Sequence, residues 1–352
     1  MLGILQNSVD GCITAILTPF REDGGFDSEG MGRLLEFQQA NGVGGIVVAG
    51  TTGEGPTLEH QEFMKALALV LDGARGRAVT IANTGANNTR KAVEATTQAW
   101  ELGARSALLV DPYYNCPSSL EIRREYYEPI ANAAKEMQLI PYVIPGRTGT
   151  QISPEDLALL ARAHPNINAV KEATGSMENA ASIRSLCGNA FSILSGDDER
   201  TLSLMTDPRV SANGTISVMS NIAPKAVAEM VGAALGGDVA KATSLAAALK
   251  PLFELVTVRT DEAVLGHTLT VKAKNPLPVK TMAAVLGMPA GRCRQPLGRM
   301  TRAGLNKILM GLESLWRNNP EILEPIEKGF GVSVADRLRS PAVLEGLYYE
   351  SY

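Results

Sequence analysis

Histidine and cysteine are scarce in this sequence, and neither is spaced as a metal site or a disulfide framework requires. The histidines are His60, His164 and His267, and the cysteines are Cys12, Cys116, Cys187 and Cys293. No Cys-x-x-Cys or His-Glu-x-x-His spacing occurs, which argues against zinc ribbons and histidine-based metal sites. The widely spaced cysteines are expected to be reduced thiols.

Strong net charge and long apolar runs are also lacking. A net charge of -4 over 352 residues argues against a nucleic-acid surface and favours small-molecule partners. The first twenty residues include Asp10 and Pro19 and no uninterrupted apolar run, so neither a signal peptide nor a membrane span is expected. These features predict a cytoplasmic protein, and 34 glycines with 19 prolines fit a loop-rich enzyme.

Short apolar runs alternate with amphipathic segments through the first two thirds of the chain. Eight strands are predicted, at residues 12–17, 44–50, 78–82, 105–110, 139–144, 167–171, 191–195 and 212–218. Strands that are apolar throughout belong to parallel sheets covered on both faces, and eight such βα units predict a (β/α)8 barrel domain over residues 1–235. An open doubly wound sheet is the alternative, but no G-x-G-x-x-G follows the first strand.

Beyond residue 235 the strand pattern gives way to alanine- and leucine-rich segments. Helices are predicted there at 238–255, 261–273, 279–286 and 301–315, which together form a helical appendage over residues 236–312. Residues 313–352 form a C-terminal extension to which the sequence assigns no chemistry.

The sixth predicted strand ends on a lysine, Lys171, and runs into a turn of small residues. Burial disfavours the ammonium form of lysine, and a neutral amine is a nucleophile. Lowering the pKa from about 10.4 to roughly 7 costs ~4 to 5 kcal/mol. The alternatives are an ion pair with a carboxylate such as Glu172, or an amine that extends to solvent.

Polar residues end several other strands, and in such a barrel these ends meet at one mouth. They are Thr51 and Thr52, Tyr113 and Tyr114, Tyr142 with Arg147, and the segment 195–198. Each could be only a turn or packing residue, but together they suit imine chemistry: an amine, hydroxyl groups that pass protons, and donors for carboxylates.

Six motifs resemble the pyruvate-dependent class I aldolases grouped around dihydrodipicolinate synthase and N-acetylneuraminate lyase. They are Gly50-Thr-Thr-Gly-Glu54, Asp111-Pro-Tyr-Tyr-Asn115, Tyr142-Val-Ile-Pro-Gly-Arg-Thr-Gly149, Val170-Lys-Glu-Ala-Thr-Gly175, Leu194-Ser-Gly-Asp-Asp198 and Asn275-Pro-Leu-Pro-Val-Lys280. They occur in family order, and the resemblance covers about residues 10 to 300.

The resemblance implies roles for eight residues. Lys171 would form a Schiff base with pyruvate, and Arg147 would hold the carboxylate of an aldehyde substrate. Protons would be relayed by Tyr142, Thr51 and Tyr114, the last of which would come from a neighbouring subunit. Pyruvate would be bound by Thr52, Gly196 and Ile216. Arginine at that position favours the synthase branch, with aspartate semialdehyde as acceptor. The resemblance also implies a homo-oligomer, a tetramer, and no cofactor or metal, because the protonated imine is itself the electron sink.

Two departures from the family pattern affect specificity. Where the synthase usually has Tyr-Asn-Val-Pro, this chain has Tyr142-Val-Ile-Pro145. A related Schiff-base aldolase or dehydratase acting on another 2-oxo acid or a sugar acid is therefore an alternative. In the inhibitory lysine site of the family, Asn87, His60 and Tyr113 match, but Lys91 stands at the glutamate position, which predicts weak feedback by lysine. A non-catalytic pyruvate-binding or scaffold relative is the alternative from another class.

Overall fold

A closed barrel of eight parallel strands forms the body of the computed structural model, which describes residues 9–352. The strands are β1 Gly11–Ala15, β2 Gly45–Val48, β3 Val79–Asn83, β4 Ser106–Val110, β5 Gln138–Val143, β6 Ala169–Glu172, β7 Ser192–Ser195 and β8 Gly214–Ser217. They follow one another in chain order, and β1 pairs with β8 to close the barrel. The predicted (β/α)8 fold is confirmed. Residues 1–8 belong to the predicted barrel domain and to the N-terminal segment in which no signal peptide is expected, and they lie outside the described residues.

Helices follow the strands around the barrel and continue into the C-terminal part. They are Ser28–Ala40, His60–Ala74, Thr89–Leu102, Ser119–Glu121, Glu128–Ala133, Pro145–Thr148, Pro154–Ala163, Met177–Cys187, Thr201–Thr206, Pro224–Leu235, Val239–Phe253, Leu277–Val285, Arg302–Asn318, Glu324–Phe330 and Val334–Arg339. A π-helical stretch, Ile122–Tyr127, separates two of them. None of the helices in residues 9–352 combines the length and the apolar character needed to cross a membrane.

The apolar strands are buried on both faces, as the sequence pattern predicts. In β2, Val47 points into the barrel interior, whereas Ile46 and Val48 pack outward against the surrounding helices. The interior cluster also contains Tyr142 and Ile216. Because successive side chains of a strand alternate between these two layers, the residue that ends each strand is directed either to the mouth of the barrel or to the helix layer.

The predicted helix at 261–273 is wrong, because this segment is an antiparallel hairpin. Strand β9 covers Thr257–Val264 and β10 covers His267–Lys274. Leu265 and Gly266 form the two-residue turn, with φ angles of 51° and 77°, the left-handed geometry of favoured hairpin turns. Threonine and valine recur along both strands, so their β propensity and this turn outweigh the alanine and leucine content that suggests a helix.

A buried ion pair joins the C-terminal part to the loop after β2. The Lys280 ammonium hydrogen-bonds the Glu54 carboxylate, and both side chains are almost fully buried. The backbone N–H of Arg294 donates a second hydrogen bond to Glu54, at 2.8 Å. Since Glu54 lies two residues after Thr52, the C-terminal part holds the loop that carries two of the predicted site residues.

The C-terminal extension packs back onto the rest of the chain. The helix Arg302–Asn318 continues through residue 312, where the sequence analysis places a boundary. Phe330 stacks on Phe37 of a barrel helix, with 5.0 Å between ring centroids. Arg337 donates hydrogen bonds of 2.7 Å to the carbonyls of Ala284 and Val285, which satisfies acceptors at the end of a helix.

Candidate active site

Lys171 lies at the mouth of the barrel near the end of β6, with 5% of its surface exposed. Burial lowers the pKa of its amine to about 7; the nearby Arg147 acts in the same direction, and the carboxylate of Asp198 opposes the shift. A substantial fraction of the amine is therefore neutral near neutral pH, which is the form that adds to carbonyl groups.

Both alternatives for Lys171 fail on the contacts around it. Its amine is not extended into solvent, and the neighbouring Glu172 is engaged elsewhere. Glu172 accepts hydrogen bonds from Thr174 and from the Asn179 side chain, the latter at 2.7 Å. Lys171 therefore has no ion-pair partner within 4 Å in the described part of the chain, and its amine remains available.

Tyr142 is the neighbour of Lys171 on the adjacent strand. The parallel register of β5 and β6 makes their Cα atoms partners, and the Lys171 Nζ lies 4.3 Å from the centroid of the tyrosine ring. Burial raises the pKa of the Tyr142 phenol, while Arg147 and a hydrogen bond with the Thr51 side chain oppose the shift. The phenol of Tyr142 is therefore protonated near neutral pH, and Tyr142 contacts the Lys171 amine through its ring and Thr51 through its hydroxyl.

A cavity of about 400 Å³ opens above Lys171. Six of the eight predicted site residues line it: Thr51, Thr52, Tyr142, Arg147, Lys171 and Gly196. Ile216 is fully buried in the apolar barrel interior beside Tyr142 and is not part of the lining. Tyr114 is 85% exposed and does not line the cavity of its own chain.

Gly196 is adjacent to Lys171 for a steric reason. A Cβ atom at this position would lie 2.7 Å from the Ala173 Cβ and 3.0 Å from the Lys171 Cε. Any larger residue would therefore displace the lysine side chain, so glycine is required for the amine to occupy its place in the cavity.

Two residues suited to bind carboxylates are tied to the same asparagine. The Asn275 amide donates to the Thr52 hydroxyl at 3.1 Å, and the Asn275 backbone carbonyl accepts from the Arg147 guanidinium at 2.9 Å. The Asn275 Oδ1 is buried and has no hydrogen-bond partner among residues 9–352. Sequence reasoning assigned no role to Asn275, although it begins the last of the six motifs.

Asp198 holds negative charge near the amine. It accepts hydrogen bonds from the Ser217 hydroxyl and from the backbone N–H groups of Val218 and Met219, both at 3.0 Å. Burial raises the pKa of the Asp198 carboxyl, and these hydrogen bonds oppose the shift. The segment 195–198 was expected at the mouth, but a link between Asp198 and Lys171 could not be read from the sequence.

A second cavity, of about 770 Å³, shares Thr51, Tyr142 and Arg147 with the first. It also reaches the predicted regulatory residues His60, Lys91 and Tyr113, as well as Glu94. Asn87 is not part of its lining. The two cavities therefore meet at the hydroxyl groups of Thr51 and Tyr142.

Tyr114 has a left-handed backbone, with φ at 79°, and its side chain is exposed instead of lining the cavity that contains Lys171. Its backbone N–H is held by the Thr148 carbonyl at 3.4 Å. An exposed aromatic side chain on a constrained loop is suited to enter a neighbouring molecule.

Possible metal ligands are not grouped in the part of the chain that the structure describes. No cluster of three or more His, Cys, Asp or Glu side chains is arranged to hold an ion among residues 9–352.

Comparison with known proteins gives a consistent family assignment. A profile described as the "Dihydrodipicolinate synthetase family" matches residues 8–314. A 4-hydroxy-tetrahydrodipicolinate synthase of Trichlorobacter lovleyi is 40% identical over 298 residues, which cover 85% of this chain and 96% of the relative.

Solved structures show the same relationship. Dihydrodipicolinate synthase from Aquifex aeolicus is 37% identical, with a TM-score of 0.79 over 90% of this chain and 100% of that one. The chloride-inhibited dihydrodipicolinate synthase from Acinetobacter baumannii, complexed with pyruvate, is 33% identical, with a TM-score of 0.78 over 88% of this chain and 99% of that one.

Proposed function

The chain belongs to the dihydrodipicolinate synthetase family, and from that premise we propose that it condenses pyruvate with aspartate semialdehyde through an imine on Lys171. This is the reaction of 4-hydroxy-tetrahydrodipicolinate synthases, the name of relatives about 40% identical over most of the chain. The observation that carries the proposal is the buried amine of Lys171, with its pKa lowered to about 7, over the ring of Tyr142.

Imine formation begins with attack of the neutral Lys171 amine on the C2 carbonyl of pyruvate. The carbinolamine that results loses water, and this step needs a proton delivered to the leaving hydroxyl. Tyr142 supplies that proton, and Thr51, with which the Tyr142 hydroxyl shares a hydrogen bond, returns one to the tyrosine. Loss of a proton from the pyruvate methyl group then gives the enamine, with the protonated imine as electron sink.

Pyruvate binds with its carboxylate on Thr52 and the neighbouring backbone, close to Lys171. The Asn275 amide fixes the Thr52 hydroxyl in position. Gly196 leaves the space that the lysine chain needs. Ile216 supports this site from the barrel interior, next to Tyr142, rather than from the cavity wall.

Aspartate semialdehyde binds farther out, with its carboxylate on Arg147. The enamine carbon attacks the aldehyde and forms a carbon–carbon bond. The amine of the bound substrate then replaces Lys171 at the imine carbon, which releases the cyclic product and restores the free lysine. Protons are conserved over this transimination, so no external base or cofactor is needed.

Oligomerisation completes the proton relay. Tyr114 is exposed and does not line the cavity that contains Lys171, so it serves the site of a neighbouring subunit in a homo-oligomer, a tetramer in this proposal. The enzyme acts in the cytoplasm, where its free thiols remain reduced.

A direct test compares acceptors at saturating pyruvate. Purified enzyme should consume pyruvate with aspartate semialdehyde and should turn over sugar-derived aldehydes at least about a hundredfold more slowly, the scale at which polar recognition discriminates. The second candidate is an aldolase for another 2-oxo acid, favoured by Val143, which stands where the family usually has asparagine beside the tyrosine. Preference for a different aldehyde would support that candidate and reject aspartate semialdehyde.

A further inference from the structure

The hairpin β9–β10 covers part of the entrance to the active-site cavity. One face packs inward, where Val258 and Thr260 are buried near the helix Arg302–Asn318. The opposite face carries Arg259 and Lys272, and both residues line the cavity that contains Lys171. The hairpin therefore adds two cations to a cavity that already holds Arg147.

These two cations are direct cross-strand partners. Arg259 and Lys272 are paired in the antiparallel register, which places two like charges side by side. Such pairs destabilise a sheet. The pKa of Lys272 is lowered, with the Arg259 charge as the largest cause and Lys274 as a further one.

Protein carboxylates do not neutralise this pair. In the described chain neither Arg259 nor Lys272 has a carboxylate oxygen within 4 Å, whereas many other arginines form such contacts. Acidic residues also line the cavity, at Asp197, Glu199 and Glu254, but they are not paired with the hairpin cations. An unneutralised cation pair that faces a cavity is suited to an anionic ligand.

The position of the pair indicates which anion it binds. Pyruvate becomes attached to Lys171 at the bottom of the cavity, beneath the entrance that the hairpin lines. The guanidinium of Arg147 already donates one hydrogen bond to Asn275, so only part of its donor set is free. The second substrate arrives after the imine has formed and brings both a carboxylate and an ammonium group, for which the cavity provides cations and acidic residues.

We propose that Arg259 and Lys272 form an outer position at the entrance to the cavity, which attracts the carboxylate of the aldehyde substrate before that carboxylate reaches Arg147. This inference rests on the proposed function, which it extends by assigning acceptor recognition to the hairpin. Arg259 and Lys272 act on the binding of the aldehyde and not on the chemistry at Lys171.

The test replaces both cations with glutamine, Arg259→Gln together with Lys272→Gln. The KM for aspartate semialdehyde should rise about tenfold, which corresponds to about 1.4 kcal/mol. The KM for pyruvate and the kcat at saturation should stay within about twofold. The matched control is Lys274→Gln, a cation on the same hairpin that does not line the cavity, and it should leave all three constants unchanged.

The dependence of KM on ionic strength and a charge-conserving variant provide a second test of the two cations. The KM for the aldehyde should rise with ionic strength in the unmodified enzyme and should do so less in the double variant, because screening acts on the removed charges. Arg259→Lys should retain most of the affinity. A thermal melt shows whether each variant is folded.

Three outcomes would overturn the inference: an unchanged KM for the aldehyde, equal increases of KM for both substrates, or the same effect from Lys274→Gln. Failure of the proposed function looks different. In that case the unmodified enzyme would not condense pyruvate with aspartate semialdehyde, whatever the hairpin variants do.

Discussion

The Asn275 side chain donates a hydrogen bond to the Thr52 hydroxyl, with 3.1 Å between Nδ2 and Oγ1, across 223 residues of sequence. The backbone carbonyl of the same asparagine binds Arg147. One residue of the C-terminal part thus fixes the groups proposed to hold both substrate carboxylates, which ties the C-terminal part directly to catalysis.

Substitution of Asn275 should therefore weaken pyruvate binding. Asn275→Ala removes the donor to Thr52, and we expect the KM for pyruvate to rise about tenfold, the effect of losing one positioned polar contact near a charged ligand. Asn275→Asp should be worse, because a carboxylate would repel that of pyruvate. Steady-state kinetics give the KM for pyruvate of each variant. If neither variant differs from the unmodified enzyme in this KM, the role assigned to Asn275 is contradicted.

The lowered pKa of Lys171 sets the pH dependence of the first step. With a pKa of about 7 in the free enzyme, kcat/KM for pyruvate should fall about tenfold for each pH unit below 7 and level off above it. Asp198→Asn removes a charge that raises this pKa, so the acidic limb should move to lower pH. A limb that stays in place in this variant would show that Asp198 does not act on the amine.

Burial of the Lys171 amine should also reduce the stability of the fold. The pKa is lowered from 10.5 to about 7 in the folded state. The free energy of unfolding therefore increases as pH rises from about 7 to 10.5. Below pH 7 the folded state bears the full cost of burying the charged amine, at most about 5 kcal/mol.

Lys171→Met should remove that penalty. Because methionine fills a similar volume without a charge, the variant should be inactive yet more stable than the parent, most clearly below pH 7, in denaturant unfolding. Lys225→Met, at an exposed position, is the control and should change little. If Lys171→Met were less stable than the parent, burial of the Lys171 amine would not reduce the free energy of unfolding.

Feedback by lysine should be weak. Lys91 lines the second cavity beside His60 and Tyr113, and its charge repels a ligand ammonium group, although Glu94 lies in the same lining. Millimolar lysine should leave the initial rate nearly unchanged, and Lys91→Glu should increase inhibition. Inhibition of the unmodified enzyme by micromolar lysine would contradict this prediction.

The sequence predicts the barrel well because its signal is local. Apolar runs locate each strand, and the residues that end them, such as Thr51, Tyr142 and Lys171, lie at one mouth by the geometry of parallel strands. The contacts of Asn275 and Asp198 depend on how distant segments pack, which no local pattern encodes.

The hairpin was missed for a different reason. Its two strands are eight residues long and lie between alanine- and leucine-rich helices, and each contains alanine or leucine itself. Leu265-Gly266 is a weak turn signal without an asparagine or aspartate. The sequence pattern therefore places Lys272 in a predicted helix and Arg259 between two predicted helices, and it does not anticipate their position over the cavity.

Borohydride reduction in the presence of pyruvate tests the central claim most directly. If the buried amine of Lys171 forms the imine, reduction should leave one permanent pyruvate-derived adduct per chain, located on Lys171 by peptide mass spectrometry, and none in Lys171→Met. A chain that stays unmodified, or an adduct on another lysine, would contradict the account and would favour a relative that binds pyruvate without reacting with it.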